Sequence, residues 1–197
     1  MTAFIWDLDG TLIDSYDIFL AALDETFATY DLPFDREKIY QFIKARSVNE
    51  LLQNQPLAFD ELKAKFTENS VAKNNEIRLM TGAKTTLEWA KQRGILNFIY
   101  THKGKNTHEL LRQLGISDYF TAVITSENGF PRKPDSAAID YLVEKYGLDR
   151  TQTYYIGDRP LDVEVAYQSG VQSINFIEAE NSAKIRELTD IISILKS

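Results

Sequence analysis

The 197-residue sequence predicts an α/β protein: a parallel sheet flanked by helices, with a helical bundle inserted after its first strand. Three observations predict it. Short apolar runs recur at residues 3–6, 96–100, 122–124, 153–156 and 171–176, nearly unbroken rather than alternating, as in strands buried on both faces. From about Gly82 onward these runs take turns with helical patterns, which implies right-handed crossovers between parallel strands. From Ser15 to Met80 no convincing strand occurs and the pattern is helical throughout.

Taken in order, the first apolar run ends at Asp7. Four helical stretches follow: "YDIFLAALDETFATY", "DREKIYQFIKA", "SVNELLQN" and "FDELKAKFTENSVAKN". A small bundle is the economical packing for them. "GAKTTLEWAKQRG" sets Leu87 and Ala90 on one side of a helix and stops at Gly94, where a left-handed residue ends a helix without steric cost. "KNTHELLRQLG" repeats the pattern up to Gly115. "KPDSAAIDYLVEKYG" offers Asp135 as its N-cap and closes at Gly147, and "RPLDVEVAYQSG" closes at Gly170. The final "ENSAKIRELTDIISILKS" reads as one amphipathic helix packed on the core.

A hydrophobic share of 44% with 26% charged residues suits a globular protein with a real core. Twenty-two basic residues against twenty-nine acidic ones, net −7, argue against a nucleic-acid partner. The absence of cysteine excludes thiol catalysis, disulfides and cysteine-based metal sites, and two histidines, His102 and His108, argue against a multi-histidine metal site. There is no basic leader with a cleavage site, and no apolar run approaches the roughly 18 residues of a membrane span. The expectation is a cytoplasmic protein without membrane contact, monomeric or dimeric.

In open parallel sheets, ligands sit beyond the carboxyl ends of the strands. Four such ends carry unusual polar groups here. Asp7 and Asp9 follow the first strand with only Leu8 between them, a pairing that is repulsive unless a cation or a proton is shared. Thr101 ends "NFIYT", the third core strand leads into "SENGFPRKP", a loop expected to expose Lys133, and Asp158 and Asp162 stand in "GDRPLD". Carboxylates clustered without histidine favour a hard cation such as Mg2+. Lysine, threonine and the backbone N–H groups after Asp9 and Thr101 suit phosphate oxygens. One aspartate can then serve as nucleophile and a second as proton carrier. A calcium loop of the EF-hand kind is excluded, because Gly10 is fourth from Asp7 rather than sixth.

"DLDGT" at Asp7, the strand ending at Thr101, Lys133 in "RKP" and "GDRPLD" at Asp158 resemble, in order, the four motifs of the haloacid dehalogenase superfamily of phosphatases. The helical insert resembles that family's cap, near the phosphoglycolate-phosphatase and β-phosphoglucomutase branch. The resemblance implies a Rossmann-like core of residues 1–14 and 81–197 and a cap of residues 15–80. It implies a Mg2+-dependent phosphatase of a small phosphorylated metabolite, with Asp7 as nucleophile and metal ligand. Asp9 would be the general acid/base and bind the metal through its backbone carbonyl. Thr101 and Lys133 would hold the transferring phosphoryl group and Asp158 would ligate Mg2+. Asp162 would join it directly, through water, or by orienting its neighbours. Gly10 and His102 would also line the phosphate site, and Tyr16, Lys44, Arg46 and Ser47 are the cap candidates for recognising the leaving group. One departure stands out: relatives often carry asparagine after the motif-two threonine, where this chain has His102. The alternatives are a phosphomutase of the β-phosphoglucomutase kind and a binding or regulatory protein on the same fold. A dehalogenase fits less well, since that branch needs no metal and lacks an acid where Asp9 stands.

Overall fold

The first strand, β1 (Ala3–Trp6), is apolar at every position and none of its side chains reaches solvent. Such a strand can only sit inside a sheet covered on both faces. The structure, a computed structural model, describes residues 1–196. After β1 come β2 (Ile13–Asp14), α1 (Tyr16–Thr29), α2 (Arg36–Ala45), α3 (Val48–Gln53), α4 (Phe59–Ala72) and β3 (Arg78–Leu79). The chain continues through α5 (Ala83–Gln92), β4 (Leu96–Tyr100), α6 (Thr107–Gln113), β5 (Ala122–Ile124) and α7 (Ala137–Tyr146). It ends with β6 (Thr153–Gly157), α8 (Pro160–Gln168), β7 (Gln172–Asn175), β8 (Ser182–Lys184) and α9 (Asp190–Ile194).

Six strands form one parallel sheet in the order β5-β4-β1-β6-β7-β8. Strand β1 is central, in register with β4 (Trp6 opposite Ile99) and with β6 (Trp6 opposite Ile156). The chain therefore reverses its direction of travel across the sheet at β1, and the crevice opened there lies beyond the carboxyl ends of β1, β4 and β6. One face of the sheet buries Ile5, Phe98, Tyr100 and Tyr155 with Ile139 and Leu142 of α7 and Val165 of α8. The indole N–H of Trp6 donates to Asn97 Oδ1 at 2.9 Å, so the polar tip of this fully buried ring is satisfied inside the core.

The chain divides into two compact units, Met1–Ile13 with the residues from Leu79 onward, and Asp14–Arg78. In the second, α1 to α4 enclose a separate apolar cluster that includes Leu23, Phe27, Leu52, Leu62 and Phe66. Phe19 meets Phe66 edge-on with 6.0 Å between ring centroids. Two of its helix starts are capped as their sequences dictate: Asp35 Oδ1 accepts from Lys38 N–H at 3.1 Å and Ser47 Oγ from Glu50 N–H at 3.0 Å.

Three expectations need correction. Residues 180–196 do not form one helix: Ser182–Lys184 adds a sixth parallel strand beside β7, and only Asp190–Ile194 is helical, while Ser197 lies outside the described residues. The segment has enough apolar residues for either element, and Ala183 sits where β7 still offers unpaired backbone. In α7 the N-cap position falls on Ser136, whose side chain makes no capping hydrogen bond, while Asp135 one residue earlier accepts from Ala137 N–H on Oδ1 at 2.9 Å. The stretch from Ser15 to Met80 also ends in a short strand, β3, paired with β2. Among the described residues no helix is long and apolar enough to cross a membrane.

Candidate active site

Parallel register carries Asp7, Thr101 and Asp158 to the same edge of the sheet, each one residue beyond its strand. The Asp7 N–H donates to Ile156 C=O at 2.8 Å and the Thr101 N–H to Ile124 C=O at 2.9 Å, so both residues are still held by the ladder. After Asp7 the chain turns sharply. The Leu8 carbonyl accepts from Thr11, Leu12 and Ile13 N–H groups at 3.0–3.3 Å, and Gly10 has φ of 83°, a conformation that β-carbon-bearing residues resist. The Gly10 N–H is itself committed to Ile13 C=O at 2.8 Å, so this glycine supplies the turn rather than a free donor.

Asp7, Asp158 and Asp162 are all buried and offer carboxylate oxygens within 4.8 Å of one another. Lys133 was expected on an exposed loop. It is instead sealed in, its side chain 0% accessible, with Nζ 2.5 Å from Asp7 Oδ1 and 2.9 Å from Asp162 Oδ1. A lone ammonium could not stay charged at such depth; two carboxylates make it tolerable. Asp162 Oδ2 accepts from the N–H groups of Asp158 and Arg159 at 3.3 and 3.1 Å, so both of its oxygens are engaged. Thr11 Oγ1 donates to Asp158 Oδ1 at 3.4 Å, and Lys103 Nζ lies 3.3 Å from Asp9 Oδ1. Asp7 Oδ2, by contrast, is buried and has no hydrogen-bond partner among the described residues.

The electrostatics follow from this packing. Burial pushes the Asp7 carboxyl up to about 7, against the pull of Lys133. Burial would also raise Asp162, but Lys133 and Arg159 outweigh it and hold that acid below the usual carboxylate range. For Lys133, burial acts downward while Asp162 and Asp7 prevail and keep the ammonium above its usual value. His102 stays neutral: burial, with Lys133, Arg132 and Arg159 nearby, lowers it to about 2. Its Nε2 accepts the Lys133 N–H at 3.0 Å.

Three carboxylates face one interior ammonium, and one carboxylate oxygen is an orphan. A hard divalent cation fits that donor set and would answer both the excess charge and the missing partner.

The helical unit treats its candidates differently. Lys44 Nζ lies over the Tyr16 ring, 4.4 Å from its centroid, Arg46 pairs with Glu50 at 3.6 Å, and Ser47 caps α3. His108 is exposed on α6.

Several contributors carry weak sequence signals or none. Thr11 stands inside "DLDGT", but nothing local pairs it with Asp158 across 147 positions. A Cβ at Gly157 would lie 2.3 Å from Asp162 Cβ, so the glycine of "IGD" makes room for that acid. Tyr100 and Tyr155, read only as strand residues, place their rings 5.4 Å from Lys133 Nζ.

Comparison with known proteins places the chain in a family. The family model described as haloacid dehalogenase-like hydrolase matches residues 4–176. Pyrophosphatase PpaX of Oceanobacillus iheyensis is 28% identical over 171 residues, 86% of this chain and 80% of that protein. A phosphoglycolate phosphatase of Vibrio cholerae is 28% identical over 190 residues, 89% of this chain and 84% of that one. The crystal structure of a hydrolase from Streptococcus pneumoniae superposes with a TM-score of 0.69 at 30% identity, covering 100% of this chain and 98% of the other. By the extent of these matches and the order of its four motifs, the chain belongs to the haloacid dehalogenase-like hydrolase family.

Proposed function

We propose that this hydrolase is a Mg2+-dependent phosphatase that removes the phosphoryl group of a small metabolite through an aspartyl-phosphate on Asp7. The observation that carries this reading is the Asp7 carboxylate itself, fixed at Oδ1 by Lys133 and, among the described residues, without a hydrogen-bond partner at Oδ2, beside Asp158. Asp7, Asp158 and the backbone carbonyl of Asp9 would hold the metal. When bound, Mg2+ would supply positive charge that keeps Asp7 ionised and offsets the repulsion between its carboxylate and the phosphoryl oxygens. Asp162, with both oxygens already engaged, serves by orienting Lys133 and the turn into α8.

The steps belong to the chain's own residues. Asp7 attacks phosphorus while Thr101 and Lys133 hold the transferring group and offset its charge. The bond to the leaving oxygen breaks, and Asp9 gives that oxygen a proton. Asp9 then takes a proton from water, whose oxygen attacks the phosphorus of the aspartyl-phosphate, returning Asp7 and inorganic phosphate. The name of the Vibrio cholerae relative favours a phosphoglycolate-like substrate, and the branch resemblance adds a sugar-phosphate-like one. Tyr16, Lys44 and Arg46 of the helical unit are the proposed selectors of its leaving group, and the cytoplasm is the proposed compartment.

The test is Asp7→Asn. With p-nitrophenyl phosphate and Mg2+, its turnover is expected to fall by about 10⁴-fold or more while the far-UV circular dichroism is unchanged. Retained turnover would overturn the nucleophile. Asp9→Asn is expected instead to slow the release of phosphate from the enzyme.

A further inference from the structure

The loop that delivers Lys133 is gripped from the end of β4 by two side chains. Tyr100, the last residue of that strand, donates its hydroxyl to Pro131 C=O at 2.9 Å. His102, two residues on, accepts the Lys133 N–H on Nε2 at 3.0 Å. The two rings brace each other edge to face, with centroids 5.8 Å apart and planes at 80°. Between them Thr101 turns its hydroxyl to a different task, accepting the Lys103 N–H at 3.1 Å. Three consecutive residues thus serve both the phosphate side of the strand end and the loop beside it.

We propose that His102 is a positioning residue: its Nε2, together with the Tyr100 hydroxyl, fixes the backbone of residues 131–133 so that Lys133 Nζ reaches Asp7 and Asp162. The chemistry demands a neutral imidazole with its proton on Nδ1, because an imidazolium has no lone pair to accept the Lys133 N–H. Burial and the cationic surroundings of Lys133, Arg132 and Arg159 enforce that state. The role is additional to the phosphate contact expected from sequence, since only Nε2 of the ring is committed to the Lys133 backbone. A carboxylate or hydroxyl would not serve equally: one would add a charge beside the acid cluster, and the other would not span the gap. The effect on rate rests on the phosphatase reading; the tautomer and the hydrogen bond do not.

The experiment pairs three substitutions with one spectrum. The terminal oxygen of glutamine reaches where Nε2 sits, that of asparagine stops near Nδ1, and leucine fills the volume with no acceptor. On p-nitrophenyl phosphate with Mg2+, His102→Gln is expected to keep kcat within about threefold of wild type. His102→Asn and His102→Leu are expected to lose about 10- to 100-fold in kcat, with KM changed by less than about threefold. If His102→Leu does not fold, the contrast between Gln and Asn carries the test. A leucine variant at the wild-type rate, or a glutamine variant as slow as the asparagine one, would overturn the proposal. Independently of any turnover, the long-range 1H–15N imidazole spectrum of the wild type is expected to show one neutral Nδ1–H tautomer between pH 5 and pH 8. An imidazolium or an Nε2–H tautomer there would overturn it. A wild type that hydrolyses no phosphate with Mg2+ would instead sink the phosphatase reading and leave the spectrum to decide on His102.

Discussion

The sheet unit contains a buried set of charges besides exposed pairs such as Arg112 with Glu109, whereas each charged pair described in the helical unit keeps at least one partner in water. In the first, Asp7, Asp158, Asp162 and Lys133 lie out of solvent and hold one another by hydrogen bonds. In the second, the charged pairs stay in water: Arg36 and Asp17 have side chains 57% and 80% accessible, and Arg46 and Glu50 65% and 43%. Exposed pairs of that kind contribute little to stability and change partner easily. Buried charges cannot do so, because each alternative arrangement strands a charge away from water. The difference teaches where geometry is fixed and where it is left adjustable. Bond-making groups need placement within a fraction of an ångström, whereas recognition of a leaving group gains from side chains free to adapt.

Removing Lys133 attacks the contrast at its strongest point. Lys133→Met keeps much of the volume but leaves Asp7 and Asp162 facing each other, and urea unfolding in Mg2+-free buffer is expected to show a loss of about 3–5 kcal/mol. A loss no larger than that of an exposed lysine would mean that the buried charges are not coupled. Gly157→Ala is the next largest. Its Cβ would meet Asp162 at 2.3–2.7 Å, so a loss of about 1–3 kcal/mol is expected, with kcat lowered about 10-fold or more as Asp162 shifts. Unchanged kcat would show that Asp162 has room the structure denies it.

A pH titration sharpens the same point more gently. His102 is held near 2 in the fold and titrates near 6.5 when unfolded, facing Lys133, Arg132 and Arg159 with the Tyr100 ring against it. Between those values the unfolded chain binds a proton that the folded one refuses. Stability is therefore complete above about pH 6.5 and falls as the pH drops below it. His102→Gln removes that contribution, so its stability is expected to fall less steeply from pH 6.5 to pH 4, by up to about 1.4 kcal/mol per pH unit. Parallel slopes in the two proteins would contradict a half-buried histidine held neutral by the fold. The smallest effect is Arg46→Ala. Its stability is expected to stay within about 0.5 kcal/mol of wild type, while KM rises a few-fold for substrates with a charged leaving group.

Much of this was legible because parallel sheets make strand ends meaningful. Asp7, Thr101 and Asp158 each follow an unbroken apolar run, and once those runs are strands in register their ends must coincide. The helices of the second unit were legible for a similar reason, since periodicity and N-caps such as Asp35 and Ser47 act locally. Lys133 was not legible as a buried residue. Its burial depends on two acids 126 and 29 positions away, and nothing in "FPRKP" records them. The partnership of Thr11 with Asp158 was hidden in the same way. Residues 180–196 misled for the opposite reason: their local pattern permits a helix, and only the waiting edge of β7 selects a strand.

The central place of β1 has a consequence for how the molecule is made. Its neighbours are residues 96–100 and 153–157, and Asp158 and Asp162 come later still. During synthesis Asp7 is therefore made well before Lys133, 126 positions on, and before Asp158 and Asp162, which follow later still. The residues of the helical unit, whose contacts are local in sequence, are translated in that interval. A nascent chain short of β6 carries Asp7 without Asp158 and without Asp162, the second anchor of Lys133, so the buried charge cluster closes only once those residues have been added.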